Sequence, residues 1–542
     1  MKRSSEKRSP APRTQEAGRW PRRGAVGLVL VIASIASGEV LLPGTQPREN
    51  EIEFAKVAQC KRCHGATKNG DADPYFSWQG GMMANAARDP VFRAALAVAN
   101  QDVEGVGEYC LRCHAPRAWI SGRSTPTDGS ALNSEDMHGV SCDVCHRLVD
   151  PLGPEARLFA RKAPPGRGNG MMVMDPGNIV RGPYGDGNGA MPHQAIHSPF
   201  HGQGELCGTC HDVSNPLQAE DVTKQPPYAY GHIERTYSEW ALSAFPGEGK
   251  TCQTCHFPAV PGGGRASKYA SPHREHFVQH GAVGGSTWVQ LATHYLWRSR
   301  KPGGGADISR KALQKGVERA RELLRTAATL DLRFFVAGQV SLRITNETGH
   351  KLPTGYPEGR RMWVNVRFLD AEGKLVSEVG RYGEVDDTIA GEAVEAPTLI
   401  DPDATRVYEN LPGISEAQAA RTGKRPGKSF HFVLNDVITK DNRIPPRGFT
   451  NAAFAERLAQ PVGAEYADGQ HWDDVPFDLP GRTARVEARL MYQSVSWEYL
   501  KFLVEENRTD AWSKDLYEAW RETGRCPPEV IAEAAAEVPS GR

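Results

Sequence analysis

The chain has 542 residues and equal numbers of basic and acidic side chains, 65 of each, so its formal net charge is zero. This length exceeds that of one ordinary domain, and we expect two or more. Without an excess of basic residues, nucleic acid is not expected as a partner.

Residues 1–38 have the composition of a secretory signal peptide. Eight basic and two acidic side chains lie within residues 1–23, and the uncharged run Gly24–Gly38 follows. Small residues at the end of this run predict cleavage near Ala36–Glu39 and export to the periplasm or the extracellular space. The run is short for a membrane span, but an uncleaved segment would anchor the chain to a membrane. Cleavage would change the net charge from zero to −6.

One pattern, Cys-x-x-Cys-His, uses ten of the eleven cysteines. It is the attachment signature of haem c, in which two thiols bond to the porphyrin vinyl groups and the adjacent His is the proximal ligand of iron. Zinc sites, thioredoxin-like sites and disulfides also use paired cysteines, but none of them requires a His after every second Cys. We predict five covalently attached haem c groups, at motifs numbered in chain order: Cys60, Cys63 and His64 in motif 1; Cys110, Cys113 and His114 in motif 2; Cys142, Cys145 and His146 in motif 3; Cys207, Cys210 and His211 in motif 4; and Cys252, Cys255 and His256 in motif 5.

Residues 50–300 hold all five motifs in Gly- and Pro-rich sequence. We predict a loop-rich, sparsely helical pentahaem cytochrome c domain, which would not fold without haem because the porphyrins supply its apolar core. Asp89-Pro90 predicts the start of a helix, and Thr236-x-x-Glu239 predicts a capping box ahead of motif 5. Residues 301–334 would form a linking helix, with its periodic part over 307–330.

After residue 335 the hydrophobic period changes to two, as in strands. Apolar and polar residues alternate over 340–344, 362–368 and 484–492. We therefore predict a multidomain chain in which a β-sandwich-like domain over 335–495 follows the cytochrome domain. A C-terminal helical segment is predicted over 496–525, and we interpret the single Cys526 as structural.

Twelve histidines remain as candidates for the distal side of the irons. Two His ligands keep an iron low-spin, which suits electron transfer, whereas an iron without a sixth ligand has an open position for catalysis. His193, His197 and His201 precede motif 4 as alternatives, and His273, His276 and His280 follow motif 5. Five methionines (82, 83, 171, 172 and 174) are further candidates, although Met is more often a packing residue. The distal ligands predicted are His138, His201, His232, His276 and His350.

His350 is the candidate outside the cytochrome region. It lies in the segment Asn346–Pro357, where Gly and Pro on both sides would hold a loop in one shape. Our hypothesis is that His350 reaches back from the β-rich domain to an iron.

Three segments resemble bacterial multihaem c-type cytochromes, in particular the tetrahaem electron-transfer cytochromes of ammonia oxidisers and their larger relatives. These segments are Cys110–Pro116, Gly139–His146 and Thr236–Trp240, and residues 350–357 are similar to a loop in the β-rich part of some relatives. The resemblance implies closely stacked, mostly bis-His haems and a periplasmic or extracellular role. The chain departs from the tetrahaem pattern by its fifth motif and its β-rich domain.

The leading interpretation is an electron carrier between a redox protein donor and an acceptor. The alternative is a multihaem reductase that acts on a small nitrogen or sulfur oxyanion at a five-coordinate haem. Pentahaem nitrite reductases typically replace one proximal His by Lys, and no Cys-x-x-Cys-Lys occurs here. A third interpretation makes the β-rich domain a docking module within a larger complex.

Overall fold

The structure is a computed structural model that describes residues 42–184, 193–219, 224, 227–228, 230–269, 271–299, 308–335 and 338–539. The predicted signal peptide and its alternative as an anchor lie outside these residues. Within the described ranges, no helix combines the length and the apolarity needed to cross a membrane.

Short helices joined by long loops form residues 42–299, as the Gly- and Pro-rich composition predicts. Every motif begins on a helix, and in four of the five that helix ends at the proximal His. The helices of this region are α1 (Val57–His64), α2 (Pro74–Gln79), α3 (Pro90–Asp102), α4 (Gly107–His114), α5 (Pro116–Ile120), α6 (Cys142–His146), α7 (Ala156–Phe159), α8 (Gly204–Gly208), α9 (Thr236–Ala241), α10 (Cys252–His256) and α11 (Val289–Ser299).

Paired short strands tie the loops of this region together. They are β1 (Leu148–Val149) with β2 (Val173–Met174), β3 (Ile179–Gly182) with β4 (Gln194–His197), β5 (Val213–Ala219) with β6 (Tyr230–Glu234), and β7 (Gly264–Arg265) with β8 (His273–Arg274). Short 3₁₀ helices cover Gly70–Ala72, Met83–Asn85, Asp136–His138, Pro199–Gly202, Pro246–Glu248 and Pro402–Ala404.

The predicted start of α3 is confirmed. The side chain of Asp89 accepts hydrogen bonds from the backbone N–H groups of Val91 and Phe92, at 2.8 and 3.2 Å. Asp89 thus satisfies two of the free donors at the helix start, and Pro90, which has no N–H, occupies the next position.

The capping box predicted at α9 is wrong. Thr236 is the first residue of the helix and Arg235 occupies the N-cap position. The Thr236 hydroxyl donates instead to Glu234, at 2.9 Å. Glu239 is buried and pairs with Arg443 of the β-rich region, at 3.1 Å, so it does not reach back to the N-cap.

The linking helix is shorter than predicted. Helix α12 (Arg310–Leu324) begins after Ser309, whose side chain caps it, and its apolar face is buried as expected. It ends early because residues 328–335 form strand β9 (Ala328–Phe335), which pairs antiparallel with β10 (Gln339–Asn346). The charged and polar residues along β9 alternate with apolar ones, a period of two that the helix prediction overlooked.

Two antiparallel sheets then pack face to face, which confirms the predicted sandwich. One sheet has the order β19 (Trp472–Asp478), β10 and β9. The other has the order β12 (Leu375–Val379), β11 (Arg361–Leu369), β20 (Arg485–Gln493) and β21 (Glu529–Glu537), with β15 (Val407–Tyr408) beside β11. The core that the two sheets share includes fully buried Leu342, Ile344, Val364 and Leu490.

The remaining elements lie in the segments that connect strands of the sandwich. They are the hairpin β13 (Tyr382–Ile389) and β14 (Glu392–Leu399), the small sheet of β16 (Asn410–Ile414), β17 (Gly427–Lys428) and β18 (Val437–Asp441), and the helices α13 (Glu416–Thr422) and α14 (Asn451–Glu456).

The predicted C-terminal helical segment is present as two helices, α15 (Trp497–Glu506) and α16 (Trp512–Glu522). They pack against α3 of the cytochrome region in one hydrophobic cluster, where Ala94 of α3 meets Leu500 and Trp520. Cys526 is buried in the same cluster, in agreement with a structural role. The two regions of the chain therefore share a core.

Candidate haem-binding sites

The proximal histidines of motifs 1, 3 and 5 share one arrangement. In each, the Nδ1 atom donates to a backbone carbonyl from a later part of the chain. A ring that donates through Nδ1 keeps the lone pair of Nε2 available for a metal, and such a partner is typical of metal-bound His. The pairs are His64 with Ala266 O at 2.7 Å, His146 with Arg181 O at 2.6 Å, and His256 with Val283 O.

Each of these three rings faces a second imidazole across a gap. Two imidazoles bound to one iron at about 2.0 Å each would have ring centroids about 6.3 Å apart. The observed centroid separations agree with this value, so the three gaps fit a bis-His haem. They are 6.3 Å for His64 and His193 at 19° between ring planes, 6.4 Å for His146 and His280 at 31°, and 6.3 Å for His256 and His350 at 27°.

Burial favours the neutral form of five of the rings, which is the form that a metal ligand must have; they are His146, His193, His256, His280 and His350. It lowers the pKa of His256 and of His280 to about 4, and it also lowers the pKa of His146, His193 and His350. The residues present therefore fit the ligand sets of haem c in chemistry as well as in spacing.

The predicted distal ligands differ in what surrounds them. His350 faces a proximal ring, as its hypothesis required. His276 is exposed, and His280, four residues later, is the one beside motif 3. His201 lies parallel to His146 at 5.8 Å, but its two ring nitrogens are 3.0 Å from Ser198 Oγ and from Cys145 O.

His138 is buried and His232 is partly buried. The ring of His138 tilts against Trp78 at 5.8 Å. His232 lies on β6, and neither of its ring nitrogens has a hydrogen-bond partner among the described atoms. Burial, reinforced by the nearby charges of Arg235 and Arg443, holds the pKa of His232 well below its ordinary value.

Motifs 2 and 4 have different surroundings. The His114 ring is stacked on Phe92, with centroids 3.9 Å apart and planes 4° from parallel. The His211 Nδ1 atom lies 3.4 Å from Glu234 Oε1, so its partner is a carboxylate and not a carbonyl. Burial works to raise the pKa of Glu234, but hydrogen bonds from His211 and Thr236 outweigh it and hold that pKa below its usual value.

Thiols of different motifs lie next to each other. Three pairs are within hydrogen-bonding reach, and Cys145 also lies near Cys207, which relates motif 3 to motif 4. Because each thiol would carry one edge of a porphyrin, these contacts bring neighbouring haem sites together. The pairs are Cys60 with Cys142 for motifs 1 and 3, Cys113 with Cys210 for motifs 2 and 4, and Cys207 with Cys252 for motifs 4 and 5.

The loop that carries His350 is anchored by buried charges. The Lys351 side chain is completely buried and its Nζ lies 2.7 Å from Asp441. The Lys351 backbone N–H donates to Glu239 of α9 at 3.1 Å, and Arg443 bridges Asp441 and Glu239 at 2.7 and 3.1 Å. This cluster fixes the loop to the helix that precedes motif 5.

Sequence reasoning missed His280 and His193 as the residues facing motifs 3 and 1. Both were among the alternatives, but His201 and His276 were predicted in their place. The signal that was available is the apolar context of His280, between Phe277 and Val283, both buried. A histidine in an apolar segment is buried more often than one among charged residues such as Arg274 and Glu275, the neighbours of His276.

Comparisons with known proteins agree with the motifs. Residues 55–147, which include motifs 1 to 3, match the family model for cytochrome c554 and c-prime. Among solved structures, the chain is similar to a penta-heme cytochrome c552 from Thermochromatium tepidum, with 16% sequence identity, 90% of this chain and 99% of that chain covered, and a TM-score of 0.49. A comparison with curated proteins gives no match. The family match supports haem c as the cofactor.

Proposed function

We propose that this chain, a bacterial multihaem c-type cytochrome, carries five haem c groups and transfers electrons between redox proteins outside the cytoplasm. The observation that carries the proposal is the set of thiol contacts between motifs. They relate motif 1 to motif 3, motif 2 to motif 4 and motif 4 to motif 5, and Cys145 lies near Cys207 of motif 4. All five sites thus belong to one connected series, which short electron-transfer steps require.

Haem c, when bound, supplies a one-electron change between ferric and ferrous iron. The task of the protein is to hold each iron in a ligand set that changes little with that electron. We assign His193 to the iron of motif 1, His280 to that of motif 3 and His350 to that of motif 5. The carbonyl partners of the proximal Nδ1 atoms fix the ring orientations, and this limits rearrangement when the charge of the iron changes.

The reductase alternative is supported by the surroundings of His114. Its ring faces Phe92 and no second imidazole ring among the described residues, so the iron of motif 2 is the candidate for an open position. The hydroxyls of Tyr356 and Tyr499 lie 2.8 Å apart, and Tyr356 lies near Cys110 of this motif. Such acids beside an open iron would suit a small nitrogen or sulfur oxyanion as substrate.

Export supports the choice of partners. The signal-like residues 1–38 direct the chain out of the cytoplasm, where haem c is attached in the usual bacterial pathway. The mature chain would have a net charge of −6 before haem propionates are counted. A redox protein with a basic surface therefore fits best as donor or acceptor.

Haem stoichiometry and spin state test the proposal. The purified mature protein should contain five haems per chain and take up five electrons in a reductive titration. Electron paramagnetic resonance should show low-spin signals for at least three irons. Zinc in place of iron, or fewer than five haems, would contradict it. A high-spin iron that binds nitrite and reduces it in turnover would favour the reductase.

A further inference from the structure

The proximal His of motif 4 is distinguished by the atom that faces its Nδ1. In motifs 1, 3 and 5 that atom is a neutral backbone carbonyl oxygen. In motif 4 it is Oε1 of Glu234, 3.4 Å from the His211 Nδ1 atom. The difference is chemical, because a carboxylate carries a full negative charge and a carbonyl does not.

A second residue besides His211 bonds to Glu234 and holds its carboxylate in this position. The Thr236 hydroxyl donates to the same Oε1 atom at 2.9 Å and lies 2.9 Å from the hydroxyl of Thr354. Thr354 in turn donates to Glu239 at 2.8 Å. The Glu234 side chain is only 13% exposed. The Thr236 hydroxyl therefore holds the carboxylate behind His211, and its oxygen also touches the hydroxyl of Thr354 in the loop that carries His350.

We propose that Glu234 is a positioning residue that lowers the reduction potential of the iron bound by His211. A carboxylate that accepts the Nδ1 proton makes the imidazole a stronger electron donor, and the nearby negative charge favours the ferric over the ferrous state. The change is one electron on the iron, with no bond made or broken and no proton released. This inference rests on the proposed binding of haem at motif 4.

The position of motif 4 gives this tuning a role. Its thiols contact both motif 2, through Cys210 and Cys113, and motif 5, through Cys207 and Cys252. The site lies at the junction of the series, and every electron that passes between those branches crosses it. A low potential there means that electrons reside on the outer haems and cross the junction without remaining on it.

The test is a potentiometric titration of the holoprotein with Glu234→Gln, which keeps the shape of the side chain and removes its charge. One of the five midpoint potentials should rise so that the ratio of reduced to oxidised haem at a fixed potential increases about tenfold, or about 59 mV for one electron. The other four should stay in place. The electron paramagnetic resonance signal of the same haem should shift.

Glu205→Gln is the matched control. It removes an equal charge from α8, two residues before Cys207, where Glu205 acts on Tyr237 and Cys252. The inference is overturned if this variant shifts the potential as much as Glu234→Gln does, or if Glu234→Gln leaves all five potentials unchanged at full haem content. Unchanged potentials in Glu234→Gln would leave the proposed electron transfer intact. A wild-type protein without five reducible haems would contradict both that proposal and this inference.

Thr236→Val provides a second variant, which preserves the charge of Glu234 and removes the hydroxyl that orients it. We expect a smaller rise of the same midpoint potential. Should Glu234→Gln fail to retain haem, an unchanged set of potentials in Thr236→Val would overturn the inference.

Discussion

His276 and His280 lie four residues apart in one segment, yet only His280 lies near a proximal ring. His280 is 6.4 Å from His146 between ring centroids, whereas His276 is exposed to solvent. The buried apolar residues around His280 cover it partly, whereas the charged neighbours of His276 leave that residue exposed. At the scale of single residues, the surroundings of a side chain matter more than its distance along the sequence from a motif.

We expect His280→Ala to convert one low-spin iron to a high-spin form, because the iron of motif 3 would lose its distal ligand. Magnetic circular dichroism of the oxidised holoprotein would measure the fraction of high-spin haem, with an expected rise of one haem in five. His276→Ala is the control and should leave the spectrum unchanged. Equal spectra for both variants would remove His280 from the ligand set.

The attachment residues could be predicted from sequence because both thiols and the proximal His are adjacent along the chain. The distal residues proposed for motifs 1 and 3 could not, since they come from remote segments that only the fold brings near. His193 lies more than a hundred residues after His64, and His280 lies more than a hundred residues after His146. His350 could be predicted to face a motif because its Gly- and Pro-rich loop differs in composition from the strands around it.

The loop between β10 and β11 is an element fixed by buried charges. Lys351 is fully buried, its ammonium group pairs with Asp441, and its backbone N–H donates to Glu239. Removing one member of such a cluster leaves an unpaired charge in a medium of low dielectric constant. The rigidity of the loop, and with it the position of His350, depends on these contacts.

Lys351→Met should therefore destabilise the holoprotein by about 3 kcal/mol, because the buried Asp441 carboxylate would lose one of its two cationic partners and keep only Arg443. Urea unfolding followed by tryptophan fluorescence would measure the loss. Lys374→Met, in an exposed turn, serves as the control and should change stability by less than about 0.5 kcal/mol. A small effect at Lys351 would mean that the cluster does not anchor the loop.

Glu358, at the end of the same loop, gives a pH-dependent prediction. Burial raises the pKa of its carboxyl to about 8, from a value of 4.5 in the absence of burial. Between these values the unfolded chain ionises and the folded chain does not, which costs about 1.4 kcal/mol of folding free energy per pH unit. The stability that this group contributes is complete below about pH 4.5 and is lost as the pH rises to about 8.

Glu358→Gln removes this ionisation, so its stability relative to the wild type should be higher at pH 8 than at pH 5 by a few kcal/mol. Urea midpoints at the two pH values give the comparison. Glu372→Gln, at an exposed position of a turn, should show no such difference. A constant offset between wild type and Glu358→Gln at both pH values would contradict the prediction.

At the scale of the whole molecule, the cytochrome region and the sandwich are joined by a common core. Helix α3 lies among the C-terminal helices, and Gln101 at its end donates to the Glu506 carbonyl at 2.8 Å. The sequence predicted α3 and the C-terminal helical segment but not the contact between them, because an amphipathic pattern does not indicate which element covers the apolar face. Sequence analysis also missed β21, because the Ala- and Glu-rich residues 529–537 favour helix, and only pairing with β20 makes them a strand.

Leu500→Ala should test the common core, because Leu500 is fully buried between α3 and α16. We expect a loss of about 2–5 kcal/mol in the free energy of unfolding. Circular dichroism of the haem band and tryptophan fluorescence should still report one shared transition. Two separate transitions in the wild type would show that the regions unfold independently.

Chain order gives this packing a consequence for biogenesis. Motifs 1 to 5 precede residue 257, and the helices that cover α3 begin only at Trp497. A polypeptide that emerges from its N-terminus thus presents the ten motif cysteines before the two C-terminal helices that complete the cover of α3. With haem attached as proposed, the enzymes that join porphyrin to protein would meet an open chain, and α15 and α16 would close it over prosthetic groups already in place.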